Sequence, residues 1–503
     1  MSHAASPGLP MPVSASYHPA PRYPALGEEL YDEVAPARFP GRTLRFRNQR
    51  WAERIGLGTL DAGEWEAHFG RFEPLPGNLP TPLALRYHGH QFDVYNPHLG
   101  DGRGFLFAQL LDDAGRLLDL GTKGSGTTPW SRGGDGRLTL KGGVREVLAT
   151  EMLEALGVPT SKSLSLFETG EALMRGDEPS PTRSSVLVRL SHSHVRFGTF
   201  QRLAYRTDVA GLERLLSYSV ANYFPEIADG PDRPARFLAA VARASAALCA
   251  GFMVAGFVHG VLNSDNLAIT GEGFDYGPYR FLPTYDVDFV AAYFDAQGLY
   301  AFGHQPRAFL RNLVRLGESL RPLSRDIALA PALADFETRL EQEVTARTLA
   351  RLGLTPGGDA DSALVAAVYA FLQESGVGYD RFFFDLHGGL VNHEARPPEG
   401  RPGLVNHEAR PPEGRPGLGR ETKDRYAGAR WDELRALLTL YEPSGPGADY
   451  FERDTPCTLL IDEIESIWSA IARDDDWAPF EAKVRDIRTM GAALRGERVT
   501  TPA

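Results

Sequence analysis

Apolar positions change their spacing several times along the chain, and each change marks a predicted element. Before residue 83, short periodic pieces at 51–55 and at Ala62–Phe69 sit among Pro, Gly, Ala and aromatic residues. That texture reads as an irregular extension draped over a larger body, with its first 20 residues disordered. Residues 104–120, GFLFAQLLDDAGRLLDL, give two apolar runs around an Asp-Ala-Gly turn and predict a hairpin. In 143–156 the residues Val144, Val147, Leu148, Met152 and Leu156 lie near helical spacing, and Gly157 and Pro159 supply a stop. Strand-like runs follow at 163–167 and 185–190, separated by a polar segment that Pro179 and Pro181 turn into a loop.

After Gln201 the pattern becomes helical. Residues 237–257 are apolar or small almost all round, as in a helix buried inside a large domain. Residues 259–288 break this pattern with polar residues among short apolar runs, before helical spacing returns at 306–320, 332–350 and 431–494, where Ile461, Ile464, Ile467 and Trp468 share a face. The string GLVNHEARPPEGRP at 389–402 recurs identically at 403–416, a tandem copy that reads as a duplicated surface loop. Strands first and helices afterwards give an α+β class.

Composition narrows the function classes. A chain of 503 residues allows two to four domains of ordinary size, and 53 Gly with 37 Pro promise prominent loops. The net charge of -12 disfavours nucleic acid and anionic membrane as partners over most of the surface, leaving room for a local basic pocket. Cys249 and Cys457 are too few for a disulfide framework or a cysteine-built zinc site, and read as buried free thiols or as one regulatory disulfide. With no long uncharged apolar run and no signal or transit pattern, the expected location is cytoplasmic.

Four stretches carry the chemistry of a nucleotide-phosphate site. LGDGRG places Gly100, Gly102 and Gly104 where backbone approaches a phosphate closely, beside the charged fork of Arg103. GTKGSGTTPWSRGGDG holds Lys123 after an apolar run, Asp135 and Gly136 in a turn, and is followed by Glu146 on the predicted helix. A strand lysine steadied by a helix glutamate is how kinase-like folds set an ammonium against phosphates. VLVRLSHSHVRFGTF embeds Arg189 and Arg196 among core-forming residues, where they require anionic partners, either a phosphate chain or internal carboxylates. His192 and His194 in the same stretch lack a third ligand at recognisable spacing and do not make a metal site. FVHGVLNSDNLAITGEGFDYGPY sets Asp265 and Asn266 after the buried helix and Asp275 after a Gly-Glu-Gly turn. These are the carboxylate, amide and second carboxylate of a kinase-like catalytic loop and Mg²⁺ site.

In this order the motifs, spanning about residues 83–320 through LRYHGHQFDVYNPHLGDGRG, VREVLATEMLEALGVPT, FVHGVLNSDN, DYGPYRFL and FGHQPRAFLRNLVRL, resemble the selenoprotein O family of YdiU-type pseudokinases. The resemblance implies a protein-kinase-like bilobal fold in which the nucleotide sits inverted, so that AMP from ATP is transferred to Ser, Thr or Tyr hydroxyls of proteins. It implies a small lobe at 83–200, a large lobe at 201–350, an N-terminal extension at 1–82 and a C-terminal helical extension at 351–503 carrying the insert 389–416. It further implies that Gly100, Gly102, Arg103, Lys123, Asp135, Gly136, Arg189, Arg196 and Asp275 bind the nucleotide, with Glu146 orienting Lys123. Asp265 is then the general base, and Asn266 and Asp275 hold Mg²⁺ or Mn²⁺. The chain departs from the family in its own wording after Gln91-Phe92, in the tandem repeat, and in a C-terminal part that is only faintly similar. It lacks a C-terminal cysteine pair or selenocysteine-type motif, so a redox role is not supported. A phosphotransferase and an inactive nucleotide-binding scaffold are the rival readings.

Overall fold

The computed structural model describes residues 13–176, 178–323, 328–390, 425–445 and 447–497. Of the duplicated insert, residues 391–416 lie outside the described residues, as do the first twelve of the N-terminal segment expected to be disordered.

The strands, in chain order, are β1 (His18–Pro19), β2 (Tyr31–Glu33), β3 (Thr43–Arg47), β4 (Leu83–Leu85), β5 (Gly89–Gln91), β6 (Val94–Asn96), β7 (Leu106–Leu111) and β8 (Leu117–Lys123). They continue with β9 (Leu138–Thr139), β10 (Lys162–Leu173), β11 (Thr182–Ser191), β12 (Phe257–Val258) and β13 (Arg280–Phe281). Among the described residues nine of these form one antiparallel sheet with the path β2-β4-β7-β8-β11-β10-β3, onto which β1 and β9 are added at β7 and β11. The β7–β8 hairpin forms where the Asp-Ala-Gly turn predicts it.

Alternation along the central strands sends side chains into two separate cores. Val186 and Val188 of β11 join Leu118, Leu120, Phe105 and Phe107 in a layer with Trp51, Trp65 and Phe69. Leu187 between them joins Leu106, Leu117 and Leu166 in the core that also contains Val144, Val147 and Leu148. Burial on both faces is why these strands read as continuous apolar runs rather than alternating ones. The first layer is supplied by the two short helices α1 (Gln49–Arg54) and α2 (Ala62–Phe69), the latter closed by a capping box between Asp61 and Glu64. Residues 13–20, expected to be disordered, are packed: Tyr17 and Ala20 are buried and β1 pairs with β7. Composition alone misled here, because the segment's apolar residues are few but each finds a place against the sheet.

The opposite face is covered by α3 (Leu140–Ala155), whose N-cap Thr139 accepts from the Gly142 N–H at 3.1 Å. The chain continues through α4 (Phe197–Tyr205), α5 (Val209–Tyr223), α6 (Arg233–Ala255), α7 (Gln305–Leu320) and α8 (Leu329–Arg351). Then come α9 (Asp361–Ser375), α10 (Tyr379–Asp385), α11 (Ala429–Leu438), α12 (Ile461–Asp474) and α13 (Ala478–Leu494). By length and composition α6 is apolar enough to cross a membrane, but Phe237, Val241, Cys249 and Phe252 are fully buried in the fold. It packs on α7 and α8 and ends at Gly256, whose φ of +65° gives the left-handed residue that stops a helix.

The last helix returns to the sheet. Gly491 of α13 sits so close to α3 that an added Cβ would lie 2.9 Å from the Ala155 Cα, and Arg488 grips the buried Glu151 of α3 with two hydrogen bonds of 2.7 and 2.8 Å. Asn48 and Arg50 also donate to Glu151. A bidentate guanidinium–carboxylate pair with one partner buried is costly to break by halves, because the remaining charge keeps its desolvation penalty. Arg488→Ala is therefore expected to lower the unfolding free energy by about 2–4 kcal/mol in urea titration, and Arg488→Lys by less. A loss below about 0.5 kcal/mol would show that α13 does not brace α3.

Candidate active site

Strand register puts the first two cations side by side. In the β8–β11 pairing Lys123 stands opposite Leu187 and Gly121 opposite Arg189, so Lys123 and Arg189 project from the same face, the one covered by α3. There Lys123 Nζ meets the Glu146 carboxylate of α3 in a short ion pair. The pairing read from the sequence is present, with both side chains buried.

Asp275 closes the group. It adopts a left-handed backbone (φ +63°) between the buried Phe274 and Tyr276, whose hydroxyl meets Thr160 Oγ1 at 2.6 Å. One carboxylate oxygen of Asp275 lies 2.6 Å from Arg189 Nη1 and 3.3 Å from Lys123 Nζ; the other lies 3.4 Å from Arg196 Nη1. Burial pushes the Asp275 carboxyl up, and Arg189, Lys123 and Arg196 together outweigh that push and hold it well below the usual range.

Arg196, at the N-cap of α4, ties three segments together. It donates to the Asp265 carbonyl at 2.7 Å and to Asp101 Oδ1 at 3.1 Å, and its guanidinium lies over the rings of Tyr87 and Phe274 at 4.3 and 4.7 Å. Internal carboxylates thus engage both arginines.

Asp265 and Asn266 sit on a 3-10 turn, Ser264–Asn266, following β12. The Asp265 side chain is buried; its Oδ2 accepts from Gln91 Nε2 at 3.4 Å, while Oδ1 has no hydrogen-bond partner. Burial, opposed by Arg196 and aided by Asp275, leaves its carboxyl pushed up to about 6. No side-chain hydrogen bond engages Asn266 among the described residues.

The β5–β6 hairpin lies over this turn. Ser264 Oγ accepts from the His90 N–H at 2.8 Å, Asn263 Oδ1 accepts from the Phe92 N–H at 3.1 Å, and a Cβ on Gly89 would come within 2.8 Å of Asp265 Oδ1. Gly89, Gln91 and Asn263, like Asp101 in the glycine segment, were not singled out from the sequence. Asp101 carried a signal, an acid inside the glycine segment two positions before Arg103. The hairpin carried none, because its partners lie some 170 positions away in the chain.

The glycine segment has a role beyond an open backbone. A Cβ at Gly100 would meet the Trp130 ring at 2.4 Å and one at Gly102 the Trp130 carbonyl at 2.7 Å. Thr128 Oγ1 donates to the Asp101 carbonyl at 2.6 Å and Trp130 Nε1 to Asp32 Oδ2 at 2.8 Å, so the 127–136 loop clamps onto residues 100–104. Arg103 is exposed, and no side-chain partner engages it among the described residues. Gly136 (φ +68°) touches Gly126, while Asp135 is exposed and held by Arg175 at 2.8 Å. The structure therefore gathers Lys123, Glu146, Arg189, Arg196, Asp265 and Asp275, and leaves Arg103 and Asp135 exposed outside that set of contacts. His194 packs on Gly121 and bonds Asp119, and His192 bonds the Leu117 carbonyl, so each has its own structural partner. Cys249 and Cys457 are both free and buried, and burial pushes both thiols far up.

Comparison with known proteins places the whole chain rather than its individual residues. A family model described as protein adenylyltransferase SelO matches residues 13–488. The protein nucleotidyltransferase YdiU of Gloeobacter violaceus is 46% identical over 476 residues, covering 93% of this chain and 94% of its own length. That of Synechocystis is 44% identical over 496 residues, covering 95% and 98%. That of Vibrio cholerae is 37% identical over 376 residues, covering 75% and 76%.

The raised Asp265 carboxyl has a cost that depends on pH. Its folded value, about 6, lies above the 3.8 of a free carboxyl, so the folded state binds the proton more tightly and loses stability as pH rises from about 4 to 6, the full penalty standing above that. Asp265→Asn is expected to stabilise the protein by up to about 3 kcal/mol at pH 7.5 and by distinctly less at pH 5, read from denaturant titrations. A gain that is absent, or larger at pH 5, would contradict the buried, unpaired placement of Oδ1.

Proposed function

The chain belongs to the SelO family of protein adenylyltransferases, and from that premise we propose that its nucleotidyl transfer runs between Asp265 and the Lys123–Arg189–Arg196 cluster. The chain is a protein nucleotidyltransferase, and its acceptors are proteins. We read strands β4 to β11 with α3 as the small lobe (83–200) of a kinase-like fold, β1 to β3 of the N-terminal extension being added to its sheet, and the helices from α4 to α8 as its large lobe (201–350), with the candidate residues at the junction.

The observation that carries this assignment is the Asp265 carboxylate, buried with one oxygen left without a partner. A buried polar atom with nothing to bond is expensive, and it is retained where a reacting group supplies the missing partner. In the proposed step an acceptor Ser, Thr or Tyr hydroxyl gives its proton to Asp265 Oδ1 as its oxygen bonds the α-phosphorus of ATP. The bond from that phosphorus to the bridging oxygen breaks, and pyrophosphate leaves with the electron pair. A carboxyl near 6 suits this task, since it is ionised at neutral pH yet basic enough to accept a proton. Lys123, Arg189 and Arg196 exchange their bonds to Asp275 for bonds to the phosphates and hold the departing charge. Glu146 keeps Lys123 aimed, Gly100 and Gly102 let Trp130 form the wall of the site, and Arg103, Asp135 and Gly136 line the approach.

The oxygen donors of Asn266 and Asp275 fit a hard divalent cation such as Mg²⁺ or Mn²⁺, and Asn266 has its side chain free to serve. When bound, such an ion supplies charge neutralisation on the phosphates.

Incubation with α-labelled or γ-labelled ATP tests the reaction: label on protein is expected from the α position only, and γ label would favour a phosphotransferase. Asp265→Asn is expected to lower transfer by on the order of 10²–10⁴ with ATP binding retained. Gly89→Ala, which drives a methyl group into the Asp265 carboxylate, should lower transfer while leaving the α/γ selectivity unchanged, and full activity in that variant would place the base elsewhere.

A further inference from the structure

Ten large apolar side chains are left exposed among the described residues, and four of them, Val287, Val290, Tyr293 and Phe294, fall within the short stretch 287–294. Tyr293 is 84% exposed and Phe294 48% exposed; Val94, on the β5–β6 hairpin, is 70% exposed. Exposure of this kind is ordinary when scattered, and concentration in one stretch marks a surface that meets something.

The stretch is firmly held. The buried carboxylate of Asp295 accepts from the N–H groups of Leu299 and Tyr300 at 2.9 and 2.8 Å, and the Gly303 and Phe302 N–H groups bond back to the carbonyls of Val287 and Phe289 at 2.8 and 3.0 Å. It is also joined to the candidate site. Tyr300 donates to Asn263 Oδ1 at 2.6 Å, two residues from Asp265, and the Phe92 ring of the hairpin packs edge-on against both Tyr300 and Phe294 at 5.1 and 5.9 Å. A Cβ on Gly260 would lie 3.3 Å from the Ala291 Cβ and 3.6 Å from the Ala292 Cβ, so the stretch also runs close to the chain just before the Asp265 turn. The patch is therefore a rigid wall continuous with the mouth of the site. Beside it Asp286 and Asp288 are exposed, and neither forms an ion pair among the described residues.

We propose that this wall, Tyr293 and Phe294 with Val287 and Val290, docks the segment of the acceptor protein that flanks the modified hydroxyl, taking an apolar side chain from it, while Asp286 and Asp288 meet a Lys or Arg of the same segment. The proposal rests on adenylyl transfer at Asp265, because only an acceptor that is itself a polypeptide brings neighbouring residues to this wall. An aromatic pair that a peptide side chain covers supplies affinity, and two unpaired carboxylates at the rim supply charge selection.

A serine peptide library in which each position around the acceptor is varied, assayed with α-labelled ATP on the full chain, tests it. The expected result is a preference for large apolar and for basic residues at defined positions. The apolar preference should fall by on the order of tenfold in the Tyr293→Ser, Phe294→Ser variant, and the basic one in Asp286→Asn, Asp288→Asn. Each single variant is made as well, with thermal unfolding and ATP binding expected to match the wild type. Peptide labelling without an apolar preference, or a preference that survives in the variants, overturns the proposal. Label on the enzyme itself but on no peptide overturns it too while leaving adenylyl transfer standing, whereas absence of α label everywhere removes the reading on which it rests. Sedimentation showing a dimer that the Tyr293 and Phe294 variants dissociate, with peptide selection unchanged, assigns the wall to a second copy of the chain and likewise overturns it.

Discussion

The carboxylate of Asp275, shared by Lys123, Arg189 and Arg196, is the constraint around which this molecule is arranged. Three cations cannot be taken out of water together unless anions are supplied at hydrogen-bonding distance, and two of these cations sit on sheet strands whose neighbours are core-forming. Asp275 supplies the shared charge, with Glu146 and Asp101 at the flanks. Because these five ion pairs join β8, β11, α3, the α4 N-terminus, the glycine segment and the loop between β12 and β13, the ion cluster fixes the sheet against the helical part of the chain. It does so at the place proposed for the nucleotide's phosphates.

The rest of the fold keeps those elements in place. The sheet is buried on both sides, by the N-terminal aromatic layer on one and by α3 on the other, so Lys123 and Arg189 project from a surface that cannot bend freely. Helix α3 is in turn braced from outside by α13 through Arg488 and Glu151, five positions along from Glu146. A second ionic clamp, in which Arg45 and Arg183 join Glu168 to Asp475, holds the turn between α12 and α13 to the sheet edge. The helices at the end of the sequence thus bear on a residue near its first third, and through it on the aim of Lys123.

Much of this was legible beforehand wherever a local pattern carried it. The β7–β8 hairpin, α3, the long buried α6 and the strand pair around the Pro179–Pro181 loop follow from apolar spacing and punctuation. The pairing of Lys123 with Glu146 followed from a strand lysine and a helix acid in the right order. The N-terminal segment was misjudged at 13–20 and underrated up to residue 47, since β1, β2 and β3 are too short to show a period and form only because sheet edges await them. The alternating glycines were read as space for phosphate, and the structure adds the indole of Trp130, which fills that space from the protein side. The insert at 391–416 stays outside the described residues.

By itself, then, the sequence determined which residue types exist in which order, and so the chemistry available: a lysine, three arginines, four acids and an amide in an α+β chain whose motifs belong to one family of adenylyltransferases. Which of them meet was decided by tertiary structure. Periodicity encodes contacts over a few residues, whereas the covering of Asp265 by Gly89 and Gln91, the three-way sharing of Asp275 and the wall at 287–294 depend on contacts between segments separated by tens to hundreds of positions. No local spacing records such contacts. They follow only once the sheet has closed over its two cores and brought the turns together at one end.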